Sequence, residues 1–366
     1  MASLGTMCII SVPVRVPQEV PGCMMVGRNK LLSVASGSRW QVGQTGAALV
    51  IVLGLVSVMC VTAVVAFNMF GMFARKTANS QMFSQAREYA LAGEMLGAKR
   101  AGAFIKVNEF FGVNDTVSDA EKRLKIDMPI DGGRIVGALK ENTNCFNLAT
   151  LVRKMPSGSF VANVTAMQQF SNLLQAMGIG KTEATSLTAA LTDWQDSDTR
   201  PLPMGAESAT YNQLDPPYRT SDSRLVSIKD LHLIRDFSVD LVEALTPLVC
   251  IDPLDTQTLL NLNTLQPHHS LLVKALLGDL ITMQQASQLI AARPPGGYDH
   301  NRRFWQMKMF EDKVIPETVR GQFITTPRRF LLTVDVYLNS ARTRLNSALH
   351  FNPDGSYIII SRYFGA

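Results

Sequence analysis

The stretch Gln44–Lys76, QTGAALVIVLGLVSVMCVTAVVAFNMFGMFARK, decides how the rest of the chain is read. From Ala47 to Ala74 it carries no charge, and its only polar interruptions are Ser57, Thr62 and Asn68. As a helix it would reach about 40 Å, enough to cross the roughly 30 Å hydrocarbon core of a bilayer. A secretory signal has an apolar centre of about 7–15 residues followed by a small-residue cleavage site, and this run fits neither limit. It is therefore read as a permanent part of the protein. Arg28, Lys30 and Arg39 precede it and Arg75 and Lys76 follow it, so flanking charge says little about orientation.

The next stretch, ARKTANSQMFSQAREYALAGEMLGAKRAGAFIKVNEFF (Ala74–Phe111), holds no turn signal. Tyr89, Leu91, Met95 and Ala98 recur at near-helical spacing, with Arg87, Glu88, Glu94 and Lys99 between them. The expectation is one helix that leaves the apolar run and becomes the spine of a folded domain; an anchor followed by a separate first helix is the other reading. With 366 residues, 46% hydrophobic and 18% charged, the chain is long enough for two or three domains and too apolar to be disordered. The net charge of +5 is spread without runs of one sign, which argues against a nucleic-acid surface.

Past the spine, GGRIVGAL (Gly132–Leu139) reads as a short strand. Val161–Met177 and Lys181–Leu191 read as helices parted by Gly178 and Gly180, followed by a loop rich in Asp, Pro and Ser up to Ser223. Ser227–Phe237, Leu271–Leu277 and Met283–Arg293 are further helical candidates, the last closed by PPGG at Pro294–Gly297. The tail changes character: RRFLLTVDVYLN, ARTRLNSALHF and SYIIISRYF are rich in β-branched and aromatic residues, with the turn NPDG (Asn352–Gly355) between the last two.

The acidic loop is the strongest chemical candidate. Asp193, Asp196, Asp198 and Glu207, with Asp215 further on, could gather several oxygen ligands, as Ca²⁺ requires 6–8 oxygens at 2.3–2.6 Å. It is not an EF-hand, since D-x-x-D-x-D lacks the required Gly and the twelfth-position Glu. A cation site and a solvated acidic loop both remain open on the residues alone. GIGKT (Gly178–Thr182) lacks the first Gly and the preceding strand of a P-loop and reads as a turn between helices. His268–His269 lie beside an expected helix start and favour a capping role over zinc, and there is no H-E-x-x-H or G-x-S-x-G.

These residues resemble a family: bacterial type IV pilins and type II secretion pseudopilins, whose leader ends in Gly before a membrane helix continuous with the folded domain. The resemblance implies that prepilin peptidase cuts after Gly46 and that Ala47 becomes the N-methylated amino terminus. Most members carry Glu at the fifth mature position, where this chain has Ile51. That absence resembles one subfamily, the large minor pseudopilin of type II secretion known as protein K. NCFNLATL (Asn144–Leu151), TDWQDSDTRPLPMGAESATY (Thr192–Tyr211), PLVCIDP (Pro247–Pro253) and NLNTL (Asn261–Leu265) are similar to its segments in the expected order, departing at Ala149. The segment before Gly46 is long for such leaders, and Met24 and Met25 offer later starts.

The resemblance implies an α+β, pilin-like fold, a long N-terminal helix packed on an antiparallel sheet, with a large inserted α-helical domain. The division would be 1–46 as cleaved leader, 47–74 as the transmembrane part of the helix and 75–150 as the first part of the pilin-like domain. Residues 151–325 would be the insertion with the acidic loop, and 326–366 the C-terminal strands. It further implies Ca²⁺ at Asp196, Asp198 and Glu207, with Asp193 and Asp215 as further ligands, and a Cys145–Cys250 disulfide in place of two separate thiols. Cys60, in the apolar run, reads as a small apolar residue. The implied role is non-enzymatic: a subunit at the tip of a short periplasmic filament, anchored by one pass in the bacterial inner membrane. Its partners would be two smaller minor pseudopilins in a trimeric tip complex, prepilin peptidase and the inner-membrane assembly platform, with no nucleic acid. Ile51, Tyr89, Leu91 and Met95 are the expected contact residues, and packing of the last three on the chain's own sheet is the alternative. The competing functional reading is a membrane-anchored periplasmic module that binds exported substrates or nucleic acid through helices around Met283–Phe304; an anchored hydrolase is a third.

Overall fold

The computed structural model describes residues 47–106 and 124–365. Gly46, the rest of the expected leader and the expected helix end at 107–111 lie outside the described residues. Helix α1 runs over Ala47–Lys106, 60 residues without a break. Two compact units divide the chain at Met69 and Phe70. In the first, the described residues are the 47–69 part of α1, whose large apolar side chains, Leu49 to Met69, are exposed. α1 is long and apolar enough to cross a membrane.

The second unit holds two hydrophobic cores. One lies between the later part of α1 and a five-stranded sheet. Strands β1 (Ile126–Ile130) and β2 (Gly133–Glu141) form an antiparallel pair. An insertion follows before the chain returns as β9 (Arg329–Leu338), β10 (Ala341–Phe351) and β11 (Tyr357–Gly365). The order is β1-β2-β9-β10-β11, antiparallel at every pair, so β2 and β9 are neighbours although the whole insertion separates them. The NPDG turn joins β10 to β11, and Asn339, at φ 49°, turns β9 into β10. All three tail strands fall where the β-branched and aromatic pattern puts them; β1, with Pro129 as its fourth residue, escaped that pattern.

The buried face of α1 differs from the expected one. Its stripe is Ala86, Ala90, Gly93, Glu94, Gly97, Ala98, Ala101, Gly102 and Ile105, and of the four anticipated positions only Ala98 belongs to it. Tyr89 and Leu91 pack at its margin, and Met95 is 52% exposed. The reason is steric. The sheet presents Ile135, Leu139, Phe330, Leu332, Val334 and Leu349, and only a face of small residues lets the helix axis approach such a surface. Glu94 is buried in this stripe because Ser347 Oγ and the Arg362 guanidinium donate to its carboxylate, Arg362 Nε at 3.1 Å.

Close approach yields a prediction. A Cβ on Gly102 would lie 2.3 Å from the carbonyl oxygen of Gly355, a backbone atom that cannot rotate away, whereas a Cβ on Gly71 meets nothing within 4 Å. Gly102→Ala is expected to destabilise the chain by about 1–3 kcal/mol despite alanine's better helix propensity. Gly71→Ala should leave stability unchanged or raised. Urea unfolding of both variants checks this, and equal stabilities would refute the packing argument.

The second core fills the insertion. It contains β3 (Phe146–Asn147), β4 (Val152–Lys154), β5 (Phe160–Ala162), α2 (Val164–Ala176), α3 (Lys181–Asp193), α4 (Ser208–Tyr211) and α5 (Val239–Leu245). After these come β6 (Val249–Cys250), β7 (Leu260–Asn261), α6 (Ser270–Leu277), α7 (Met283–Ala291), α8 (Arg302–Trp305), α9 (Glu317–Arg320) and β8 (Phe323–Ile324). Phe146, Leu148, Ala149 and Leu151 belong to this core, so the insertion begins directly after β2 and not at 151. Residues Val161 and Ala162, expected in a helix, pair in β5 with β4; α2 starts only after Asn163, whose side-chain oxygen caps it at Ala166 N. The Ser227–Phe237 segment, expected as a helix, has a capping box of Ser227 and Asp230 but stays a 3₁₀ turn over Ile228–Leu233. Arg235, beyond it, is held elsewhere, as shown below.

Candidate functional site

α3 ends in a buried turn: Thr188 and Thr192 donate their hydroxyls to the carbonyls of Ala184 and Thr188, and Asp193 closes the helix. Both Asp193 oxygens accept from Leu202 N, at 3.1 and 3.2 Å, which folds the following loop back onto the helix end. Gly205 must be glycine there, because a Cβ would fall 1.9 Å from Asp193 Oδ2. Arg235 clamps the same loop, donating from Nη1 to Gly205 O at 2.9 Å and from Nη2 to Met204 O at 2.5 Å. That clamp is why the 227–237 helix does not continue. Beneath the loop Trp194 meets Tyr211 edge to face at 5.2 Å, and Tyr211 stacks on Tyr218 at 5.4 Å.

On this platform Asp196, Asp198 and Glu207 converge, each offering an oxygen within 4.8 Å of the others. Asp196 and Glu207 are each 3% exposed; Asp198 is exposed and accepts from Arg200 N at 2.8 Å. Glu207 caps α4 with Oε2, which accepts from Ser208 N at 3.3 Å. Asp196 Oδ1 and Glu207 Oε1 are buried and have no hydrogen-bond donor. Burial, then the charges of Asp198, Asp193 and Glu207, pushes Asp196 up to about 7. Glu207 is likewise pushed up to about 7, by burial and then by Asp193, Asp222 and Asp198. Buried carboxylate oxygens without donors are rare in folded proteins, and here two of them face a third acid. A hard cation bound by oxygen fits this donor set.

Of the five expected ligands, three are brought together. Asp193 stands close enough to repel Asp196 and Glu207, but both its oxygens are engaged by Leu202 N. Asp215 lies exposed outside the group. The acid that sequence reading missed is Asp222: it raises Glu207 and accepts from Thr220 Oγ1 at 2.7 Å. Its only sequence signal is its place near the end of the same Asp- and Ser-rich segment.

Cys145 and Cys250 form a disulfide across a sequence separation of 105, beside the parallel pairing of β3 with β6. GIGKT is the turn between α2 and α3, with Gly178 at φ 98°. His269 Nδ1 accepts from Gln266 N at 2.9 Å at the start of α6, and burial, followed by the charges of His268 and Lys140, pushes it down to about 3. The Met283–Phe304 segment is not a helical hairpin. Its linker is pinned to NLNTL by Asn263, which accepts from Tyr298 N at 2.7 Å and donates to Tyr298 O at 3.1 Å. Ala47 opens α1, and Ile51 is 63% exposed on it.

The family described as Type II secretion system (T2SS), protein K matches residues 144–254 through one profile and 260–320 through a second. Type II secretion system protein K of Aeromonas hydrophila is 31% identical over 269 residues, 71% of this chain and 78% of that protein. Its counterpart from Pectobacterium carotovorum is 32% identical, with 70% and 77% covered, and that from Klebsiella pneumoniae 29%, with 88% and 97% covered. The crystal structure of the GspK-GspI-GspJ complex from the enterotoxigenic Escherichia coli Type 2 Secretion System contains a chain of similar fold. That likeness has a TM-score of 0.64 at 21% identity and covers 80% of this chain and 99% of the other.

Proposed function

The chain belongs to the type II secretion system protein K family, and on that premise we propose that it is a minor pseudopilin at the tip of a short periplasmic pseudopilus, where it helps start assembly for export of folded proteins. The observation that carries this reading is α1: one helix, apolar at its start and lined with small residues where a five-stranded antiparallel sheet packs on it, in the manner of a pilin-like fold with a helical insertion. Membrane anchoring in the inner membrane, with the sheet and insertion in the periplasm, follows from the same helix and from a disulfide suited to an oxidising compartment. In a filament an ordinary subunit's fifth-position Glu would neutralise the amino terminus of the subunit above. Ile51 cannot, which suits a position with nothing above it.

The partners in this reading are two smaller minor pseudopilins, as in the complex whose name pairs GspK with GspI and GspJ. Beyond the apolar run, Phe83, Met95 and Leu96 are large apolar residues exposed on α1 and available to them, whereas Tyr89 and Leu91 are partly used by the chain's own core. Prepilin peptidase and the inner-membrane assembly platform complete the set. Ca²⁺ would be held by Asp196, Asp198 and Glu207, with Asp193 and Asp222 close by, and it would supply the positive charge that lets these carboxylates stay ionised side by side. Asp193 and Arg235 set the loop so that the three acids face one another. The protein is read as a structural component and not an enzyme.

The test is intact mass of the membrane-extracted chain, co-expressed with and without a prepilin peptidase. The expected product begins at Ala47, carries one added methyl group and appears only with the peptidase; Gly46→Leu should abolish it. An uncut chain, or one cut after Ala74, would overturn the pseudopilin reading.

A further inference from the structure

The sheet core and the insertion core share no residue, and the insertion meets the sheet through a charged layer at the start of β9 and the end of β10. Arg329 and His350 stand directly opposite each other in the register of those strands. Their neighbours Phe330 and Leu349 belong to the core under α1, so alternation puts Arg329 and His350 on the other face. Two cations in that position would repel. The segment that follows β6 supplies the opposite charge. His350 Nδ1 and Asp252 Oδ2 lie 2.9 Å apart, and Asp255 Oδ2 is 3.9 Å from the same nitrogen. Arg329 Nη1 donates to Ile251 O at 2.7 Å. His350 is 4% exposed and Asp252 2%, so the pair is closed to solvent.

The other charges around the pair have their own partners. Arg328 Nη1 donates to Phe351 O at 3.1 Å, and Arg224, from within the insertion, donates to Pro253 O at 2.6 Å while its charge acts on Asp252. Glu141, at the end of β2, accepts from Thr143 N at 3.1 Å, and β11 sets the uncharged Ile358 beside His350. Burial by itself would raise the Asp252 carboxyl, but the hydrogen bond and charge of His350 hold it below the ordinary carboxylate range. Asp255 is pushed up by burial and then by the charge of Asp252. Asp252 therefore stays ionised near neutral pH, and imidazole is the side chain whose charge ordinarily changes there. The layer also has room to move. A cavity lined by Thr143, Asp252, Asp255, Gln257, Arg328 and Arg329 opens beside the pair, and Arg329 Nε is buried without an acceptor.

We propose that this joint is a pH-sensitive latch: with His350 protonated, the 251–255 segment of the insertion is held on the sheet by His350 and Arg329, and loss of that proton lets the segment lift from the ends of β9 and β10. The charged pair is complete at the acid end and weakens as pH rises. A neutral imidazole can still donate to Asp252, but it no longer balances two carboxylates in a site closed to water. The disulfide ties the segment at Cys250 to Cys145, so the opening is local. The setting of the insertion on the sheet then follows the pH of its compartment. The inference uses neither the tip position nor the cation site.

Hydrogen exchange of the full chain in detergent micelles tests it, at about pH 5.5 and about pH 8 with intrinsic rates corrected. The reporting amides are Asp252 N and Leu254 N, bonded to Asn147 Oδ1 and Asp252 Oδ1, and Arg328 N and Arg329 N, bonded to Thr143 Oγ1. Their protection should fall about three- to tenfold from the lower to the higher pH, the difference between a charge-assisted and a neutral hydrogen bond. Amides in the middle of β9 and in α2 should keep theirs. His350→Gln, which keeps a donor and has no charge to lose, should show the weaker protection at both pH values, and Asp252→Asn should also remove the dependence. Asp196, Glu207 and the other histidines are common to the wild type and these variants, so their titration cancels in the comparison. A change of equal size in His350→Gln, or one shared by both cores, overturns the proposal. Should the variants not fold, the wild type alone still decides: protection at the joint that is flat or rises with pH overturns it.

Discussion

Calcium added to the chelated protein is expected to raise its melting temperature by about 5–10 °C. A ligand at a hundredfold excess over its Kd stabilises by about 2.7 kcal/mol, and a domain of this size moves about 2–4 °C per kcal/mol. The effect is large because the calcium-free site is strained: Asp196 Oδ1 and Glu207 Oε1 are buried without donors among like charges. Asp196→Asn therefore has opposite signs in the two conditions. In chelator it removes one crowded charge and supplies an amide donor, so it melts at or above the wild type. In calcium it loses a ligand and falls below it. The pH dependence has a definite sign. Asp196 and Glu207 are both raised from their ordinary values to about 7, so between about pH 4 and pH 7 the folded state holds more protons than the unfolded one. Calcium-free stability must then fall as pH rises through that window, and saturating calcium should flatten or reverse the slope. Calorimetry at pH 5 and pH 7.5, with and without the ion, reads all of this. Identical curves for wild type and Asp196→Asn in calcium would remove the site from the argument.

Loss of the disulfide is the second large effect. Cys145 and Cys250 close a loop with a separation of 105 residues, for which chain entropy predicts up to about 4–5 kcal/mol, less any structure the reduced chain retains. The paired Cys145→Ala and Cys250→Ala variant is expected to melt about 8–15 °C lower. The loop contains α2, α3 and the whole acidic site, so the same variant should also bind calcium more weakly, since the ligands must then be ordered at the cost of a freer chain. Cys60→Ala, at an exposed position on α1, is the control and should melt with the wild type. A drop of less than about 3 °C in the paired variant would mean that the cores, and not the crosslink, hold the insertion together.

Much of this was legible in the sequence because it is local. The uncharged run after Gly46 marked the start and length of the apolar helix, richness in β-branched and aromatic residues marked β9 to β11, and NPDG marked their last turn. Gly178 and Gly180 marked the break between α2 and α3. β1 was missed because Pro129 argues against a strand, yet Pro129 sits on an edge, where a missing N–H costs little. The insertion's true start was missed because nothing in residues 142–150 announces which core will take Phe146 and Leu148.

The sequence by itself determined the membrane-length helix, the strand-rich tail, the acidic segment and the two cysteines. Each rests on residue type and near-neighbour spacing, and these act over a few residues whatever the rest of the chain does. Tertiary structure decided the remainder. It chose the small-residue face of α1 over the larger apolar one, because the sheet's own side chains fill the space between them. It also chose three of five acids, because convergence depends on where Asp193 and Arg235 fix the loop, not on how many carboxylates the loop contains. Which groups meet is settled by chain closure over long sequence distances, and composition and periodicity do not record that.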